Sequence, residues 1–182
     1  MRSTALCLLV TLIAAVCLGQ SGDSQNPVTD TSKRMLGRYS KNIVAAAEQM
    51  PADKYSYKPT DGQQTFGHIL SHIAESNFTL CSAIGGASAP ESKVGESDPK
   101  DKIVKVVKDS FDFCSQALDK LNDSQLGQEV TLFGGRKGPK AAAVIALDMD
   151  FADHYSAMAG YLRMNGMLPP SAQQQAKPAE KK

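Results

Sequence analysis

Apolar residues recur along this chain at the three-to-four spacing of amphipathic helices in four separate stretches. The first covers 31–49, where Met35, Leu36, Tyr39, Ile43, Val44 and Ala47 share a stripe and Pro51 stops it. The second covers 65–84. It carries Phe66, Ile69, Leu70, Ile73, Leu80 and Cys81, and Gly85-Gly86 form its C-terminal signal. The third covers 100–121, with Ile103, Val106, Val107, Phe111, Cys114, Leu118 and Leu121. The fourth covers 140–165; Gly166 suits its C-cap and Pro169-Pro170 forbid continuation. VTLFGG suits a short extended piece with no evident partner, and FGGRKGPK (133–140) reads as a flexible turn. Four such helices with little strand predict an all-α four-helix bundle over residues 31–170. Residues 20–30 are expected to be a flexible segment, and 171–182 (SAQQQAKPAEKK) a disordered tail without an apolar stripe.

The connections between helices are each about fifteen residues, more than an antiparallel hairpin requires. Such a connection reaches ~50 Å when extended, against ~30 Å for a twenty-residue helix. Parallel neighbours are therefore allowed. Cys81 lies ~24 Å and Cys114 ~21 Å from the starts of their helices, at ~1.5 Å per residue. A disulfide between them requires helices two and three to run parallel, because an antiparallel pair separates the thiols by roughly 10 Å or more.

The first nineteen residues stand apart from this pattern. Arg2 precedes the apolar run ALCLLVTLIAAVCLG, and Cys17-Leu18-Gly19 puts small residues at −3 and −1 of a cleavage point before Gln20. Residues 1–19 read as a secretory signal peptide, with a lipoprotein signal lipidated on Cys17 as the runner-up. The expected location is periplasmic or secreted. Cys81 and Cys114 then remain, and an even count in an oxidising compartment favours a disulfide; two buried free thiols are the alternative. With Arg2 set aside, the 20 basic residues fall to 19 and equal the 19 acidic ones. That balance leaves no basic footprint for nucleic acid.

DMDFADHY (148–155) interrupts the apolar fourth helix. Asp148 and Asp153 are expected to face solvent. Asp150 and His154 are four apart and share a helix face, so both can reach one divalent ion. His72, at the edge of the second helix's stripe, is the natural third ligand. His68, one turn earlier, is a fourth ligand or an outer-shell group. The competing reading makes these histidines hydrogen-bonded interfacial residues and leaves Asp150 solvated. Asn77-Phe78-Thr79 and Asn122-Asp123-Ser124 match the glycosylation sequon, a pattern common by chance.

TFGHILSHIAESNFTLCS and DFADHYSAMAGYLRMNGMLPPS resemble the DinB-like superfamily, as does PADKYSYKPTDGQQTFG leading into helix two; the similarity runs over roughly residues 31–171. The resemblance implies an up-down-down-up bundle with long crossover loops and a divalent metal bound by a histidine of helix two and an HxxxH pair of helix four. His72 and His154 fall on two of those positions, and Asp150 stands where the family has its other histidine. Zn²⁺ is the expected ion, with Ni, Fe or Mn also suited to two imidazoles and a carboxylate. The resemblance also implies two functional classes. One is a metal-dependent hydrolase or thiol transferase acting on a small-molecule substrate, with Glu75 as candidate base or second-shell partner. The other is a non-catalytic metal-binding or structural envelope protein. No stable membrane span is expected after signal removal, and the oligomeric state is left open, a homodimer being one option.

Overall fold

The computed structural model describes residues 24–91 and 93–176. The expected signal peptide and residues 177–182 lie outside them. The chain forms α1 (Pro27–Gln49), α2 (Phe66–Gly85), α3 (Lys100–Asp119), α4 (Lys140–Met164) and a short α5 (Pro170–Ala176). A two-stranded antiparallel hairpin, β1 (Glu129–Thr131) and β2 (Lys137–Pro139), joins α3 to α4. Among the described residues, no helix is long and apolar enough to cross a membrane.

Contacts between helices fix their directions. Along α2 and α3, Asn77 donates to Ser110 Oγ at 2.9 Å, Cys81 is bonded to Cys114, and Gly85 abuts Ala117. Both sets of numbers climb together, so α2 and α3 run parallel. Tyr161 donates to the Gln64 carbonyl at 2.9 Å, and the His72 ring meets that of His154, so α2 and α4 are antiparallel. Ser32 donates to Asp148, Tyr39 meets Phe151 and Tyr155, and Gln49 donates to the Leu168 carbonyl; α1 and α4 are parallel. The pairs Lys33–Asp119 and Lys108–Glu48 make α1 and α3 antiparallel. The bundle is therefore up-down-down-up.

A parallel α2–α3 pair needs a connection that returns along the bundle. At its far end Glu96 accepts from Thr65 Oγ1 at 2.7 Å, beside the start of α2. A Cβ at Gly67 would stand 2.8 Å from the Glu96 carbonyl oxygen, so this close approach requires glycine. Thr65 also caps α2 by accepting from the His68 amide at 3.0 Å, and Gly86, at φ 73°, ends the helix in the left-handed region.

The core is continuous through the four long helices. Phe66, Ile69, Leu70, Ile73, Ile43, Leu118, Leu147 and Phe151 are fully or almost fully buried. Phe151 of α4 lies at the centre, its ring 5.4 Å from that of Phe111 on α3 and 6.2 Å from Tyr39 on α1. Cys81 and Cys114 form the disulfide, with a Cα separation of 5.1 Å. Asn77 of the first sequon is buried in this interface and bonded to Ser110, so the folded chain does not present it for glycosylation.

Four expectations need correction. Residues 27–30 are helical, not part of a flexible segment. Asp123, distant in sequence, accepts from the Val28 amide (2.9 Å), the Thr29 amide (2.9 Å) and the Thr29 hydroxyl (2.7 Å), satisfying the first-turn donors of α1. Residues 171–176 belong to α5. Met167 and Gly166 amides donate to the Leu162 and Arg163 carbonyls, a Schellman stop for α4. The chain then turns back at Pro169-Pro170, and Gln174 donates to Asn42 on α1 at 3.0 Å. The VTLFGG segment does have a partner: Val130 pairs with Gly138 in the hairpin. Asp148 is half-buried against α1, where Ser32 donates to it at 3.1 Å, instead of facing solvent.

Candidate metal centre

The antiparallel register of α2 and α4 sets His72 opposite the Asp150–His154 turn. Asp150 Oδ1 lies 3.4 Å from His72 Nε2 and 3.3 Å from His154 Nε2. One donor atom from each of the three residues falls within 4.8 Å of the other two. The imidazoles stand edge to face, with centroids 4.7 Å apart and planes at 90°. The site lies at the bundle surface: the His72 side chain is 39% exposed, against 17% for Asp150 and 14% for His154. Phe151, adjacent to Asp150 in sequence, is buried and packs toward Tyr39 of α1 and Phe111 of α3.

Contact with the Asp150 carboxylate raises the His72 pKa above the ordinary imidazole value; burial opposes this, and the Glu75 charge adds to it. Burial pushes the Asp150 carboxyl up, but His154 and His72 together outweigh it and hold the group below the usual carboxylate range. The other oxygen, Asp150 Oδ2, is buried with no hydrogen-bond partner. A stranded carboxylate oxygen is costly unless a cation or donor satisfies it.

The donor set fits a divalent ion. Tetrahedral zinc with bonds of ~2.1 Å places its donors ~3.4 Å apart, close to the two Asp150–imidazole separations of 3.4 and 3.3 Å. Two imidazoles and one carboxylate leave a coordination position free, the pattern of a catalytic rather than a structural zinc site. Around the triad, Ser76 Oγ lies 3.2 Å from His72 Nε2, and Asp153 Oδ2 lies 3.7 Å from His154 Nδ1. Neither neighbour stood out in the sequence as part of the site. A serine four residues after a helical histidine is the signal for the first, and the adjacent acid is the signal for the second.

His68 and Glu75 do not join the triad. His68 Nδ1 is 3.7 Å from Glu96 Oε2, in the crossover, and its side chain is 44% exposed. Glu75 is exposed and borders a separate groove with Ser71, Phe78 and Val94, so its influence on His72 is one of charge alone. The expectation of His68 as a fourth ligand is corrected: Glu96, brought back by the long connection, takes that imidazole. Glu75, expected as candidate base or second-shell partner, is not one of the three converging groups and reaches His72 through its charge.

The chain matches the DinB superfamily model over residues 36–148. That span includes His72 and stops short of Asp150 and His154. No curated protein matches the sequence. A DinB-like protein from Bacillus cereus is similar in structure, with a TM-score of 0.63 at 16% identity, covering 78% of this chain and 95% of that one. A DinB-like protein from Bacillus subtilis gives 0.62 at 22% identity, with 76% and 96% covered. A mycothiol-dependent maleylpyruvate isomerase gives 0.58 at 14% identity, over 71% of this chain and 60% of its own. At these identities the likeness speaks for the fold. With the family match covering most of the bundle, and that bundle running up-down-down-up, the chain belongs to the DinB superfamily.

Proposed function

We propose that this is an exported divalent-metal-binding protein that uses His72, Asp150 and His154 to hold zinc and hydrolyses a small molecule. The observation that carries the reading is the three-donor cluster with His68 diverted to Glu96, which leaves the centre open. When bound, a divalent ion lowers the pKa of a coordinated water and polarises an electrophile. The chain's part is to present two Nε2 lone pairs and Asp150 Oδ1 on rigid helices. Asp150 Oδ2 remains to accept a proton or hydrogen bond, and Asp153 is the neighbour able to orient His154 through Nδ1.

Export rests on the signal-like run at residues 1–19. It favours hydrolysis over transfer to a cytosolic thiol, although a mycothiol-dependent isomerase shares the fold. The non-catalytic alternative draws on Asp150 itself, which stands where the resemblance expects a third histidine. Metal analysis of the mature protein, followed by assay on small esters and amides with and without chelation, separates the readings. Activity that disappears on chelation and returns with zinc supports the enzyme; stoichiometric zinc with no turnover supports the alternative.

A further inference from the structure

The outer face of α4 carries an apolar strip that the metal centre does not use. Of the large side chains left exposed, Met149 (66%) of α4 and Phe133 (42%) of the hairpin line one groove. Leu80, Phe133, Ala146 and Met149 line a groove of about 460 Å³ that ends at Asp150 and Asp153. Asp150 thus belongs both to the groove and to the triad, and the two are continuous.

Phe133 is held in place as a wall. It sits at the tip of the β1–β2 hairpin, which folds over through Gly134 and Gly135 at φ 67° and 75°. The Leu132 amide donates to the Arg136 carbonyl at 2.7 Å and closes the tip. The Lys140 and Ala141 amides donate to Gln128 and Leu126 carbonyls at 2.7 and 2.9 Å, tying the hairpin to the first turn of α4.

We propose that this groove is the subsite for the apolar part of a small-molecule substrate, an uncharged aryl or branched alkyl group, whose polar end turns toward His72, Asp150 and His154. This rests on the metal-centre reading above. The groove's volume lies within the range of small-molecule sites. Its length along α4, from Ala146 to Asp153, is only ~10 Å at ~1.5 Å per residue. A stable protein partner needs ~800 Å² on each side, which so short a strip does not offer. Asp150 and Asp153 at its end disfavour an anionic tail.

The test uses the mature chain loaded with zinc and two probes with the same head, benzohydroxamate and acetohydroxamate. Calorimetry should show benzohydroxamate binding about tenfold tighter, the value of burying a ring in place of a methyl. Phe133→Ala and Met149→Ala should each cut that preference below about threefold, leaving zinc stoichiometry and acetohydroxamate affinity unchanged. No preference in the parent, or one that survives both substitutions, overturns the proposal. A second readout is the ¹³C-methyl signal of Met149, assigned through Met149→Leu. It should move with benzohydroxamate and not with acetohydroxamate, in zinc-loaded and metal-free protein alike. A chain that takes up no zinc defeats the metal reading alone, and the Met149 signal still decides the groove: a shift supports it, no shift overturns it.

Discussion

Asp150 Oδ1 stands 3.4 Å from His72 Nε2 across the α2–α4 interface, and the same oxygen stands 3.3 Å from His154 Nε2 on its own helix. One carboxylate oxygen shared by two imidazoles from different elements is a strongly coupled arrangement. The other oxygen of the same group is buried and unpartnered. A divalent ion held at Oδ1 between the two imidazoles accounts for the first fact, and Oδ2 is left to accept a hydrogen bond.

The metal-free protein should already show the coupling in its pH dependence. His72 is raised, so its contribution to stability is full below the ordinary imidazole pKa and is lost as pH rises through the folded value. Asp150 is lowered, so its contribution is present above the ordinary carboxylate pKa and is lost as pH falls through the depressed value. Zinc needs His72 unprotonated, and its affinity should rise about tenfold per pH unit for each proton displaced. Thermal scans between about pH 5.5 and pH 8.5, across the imidazole range, should show a zinc-induced rise in Tm that grows with pH. A rise independent of pH would mean that zinc binds elsewhere.

Removing the Cys81–Cys114 bridge should destabilise the bundle by about 3–4 kcal/mol, because it closes a loop of 33 residues within the unfolded chain. Denaturant titration of the double Cys→Ala variant against the oxidised parent measures this. The α2–α4 register does not depend on the bridge, so zinc stoichiometry in the folded variant should be unchanged.

Asp148 gives a prediction of opposite sign. Burial raises its carboxyl, and the hydrogen bond from Ser32 only partly offsets that. The folded state therefore prefers the protonated acid, and this residue's contribution to stability falls as pH rises through its folded pKa. Asp148→Asn should raise Tm at neutral pH, by no more than about 3 °C, and the gain should vanish in acid. A lower Tm at neutral pH would count against a costly buried charge.

Asp123→Ala should fray the start of α1. Hydrogen exchange at Val28 and Thr29, whose amides donate to this carboxylate, should lose its protection, while exchange at Ile43 stays slow.

The four helices and the Asp150–His154 pair were legible from local periodicity, and His72 as their partner from its place at the edge of the α2 stripe together with the DinB-like resemblance. An i, i+4 pair on one helix faces a histidine on another, and the parallel α2–α3 pair follows once Cys81 and Cys114 are joined. What escaped were features made by distant segments. The cap of α1 comes from Asp123, the anchor of α5 from Asn42, and the partner of His68 from Glu96. The Phe133 groove escaped for the same reason: a hairpin tip meets α4 only after the chain has folded. No local pattern in a sequence encodes such encounters.

Zinc titration of the mature, tag-free protein and a short variant series tests the central claim most directly. About one ion per chain should bind. Binding should be lost in His154→Ala and His72→Ala, and weakened by at least about tenfold in Asp150→Ala. His68→Ala and Asp153→Ala should keep the parent stoichiometry. A parent that binds no ion, an Asp150→Ala variant that binds as tightly as the parent, or loss of binding in His68→Ala would contradict a centre built from His72, Asp150 and His154.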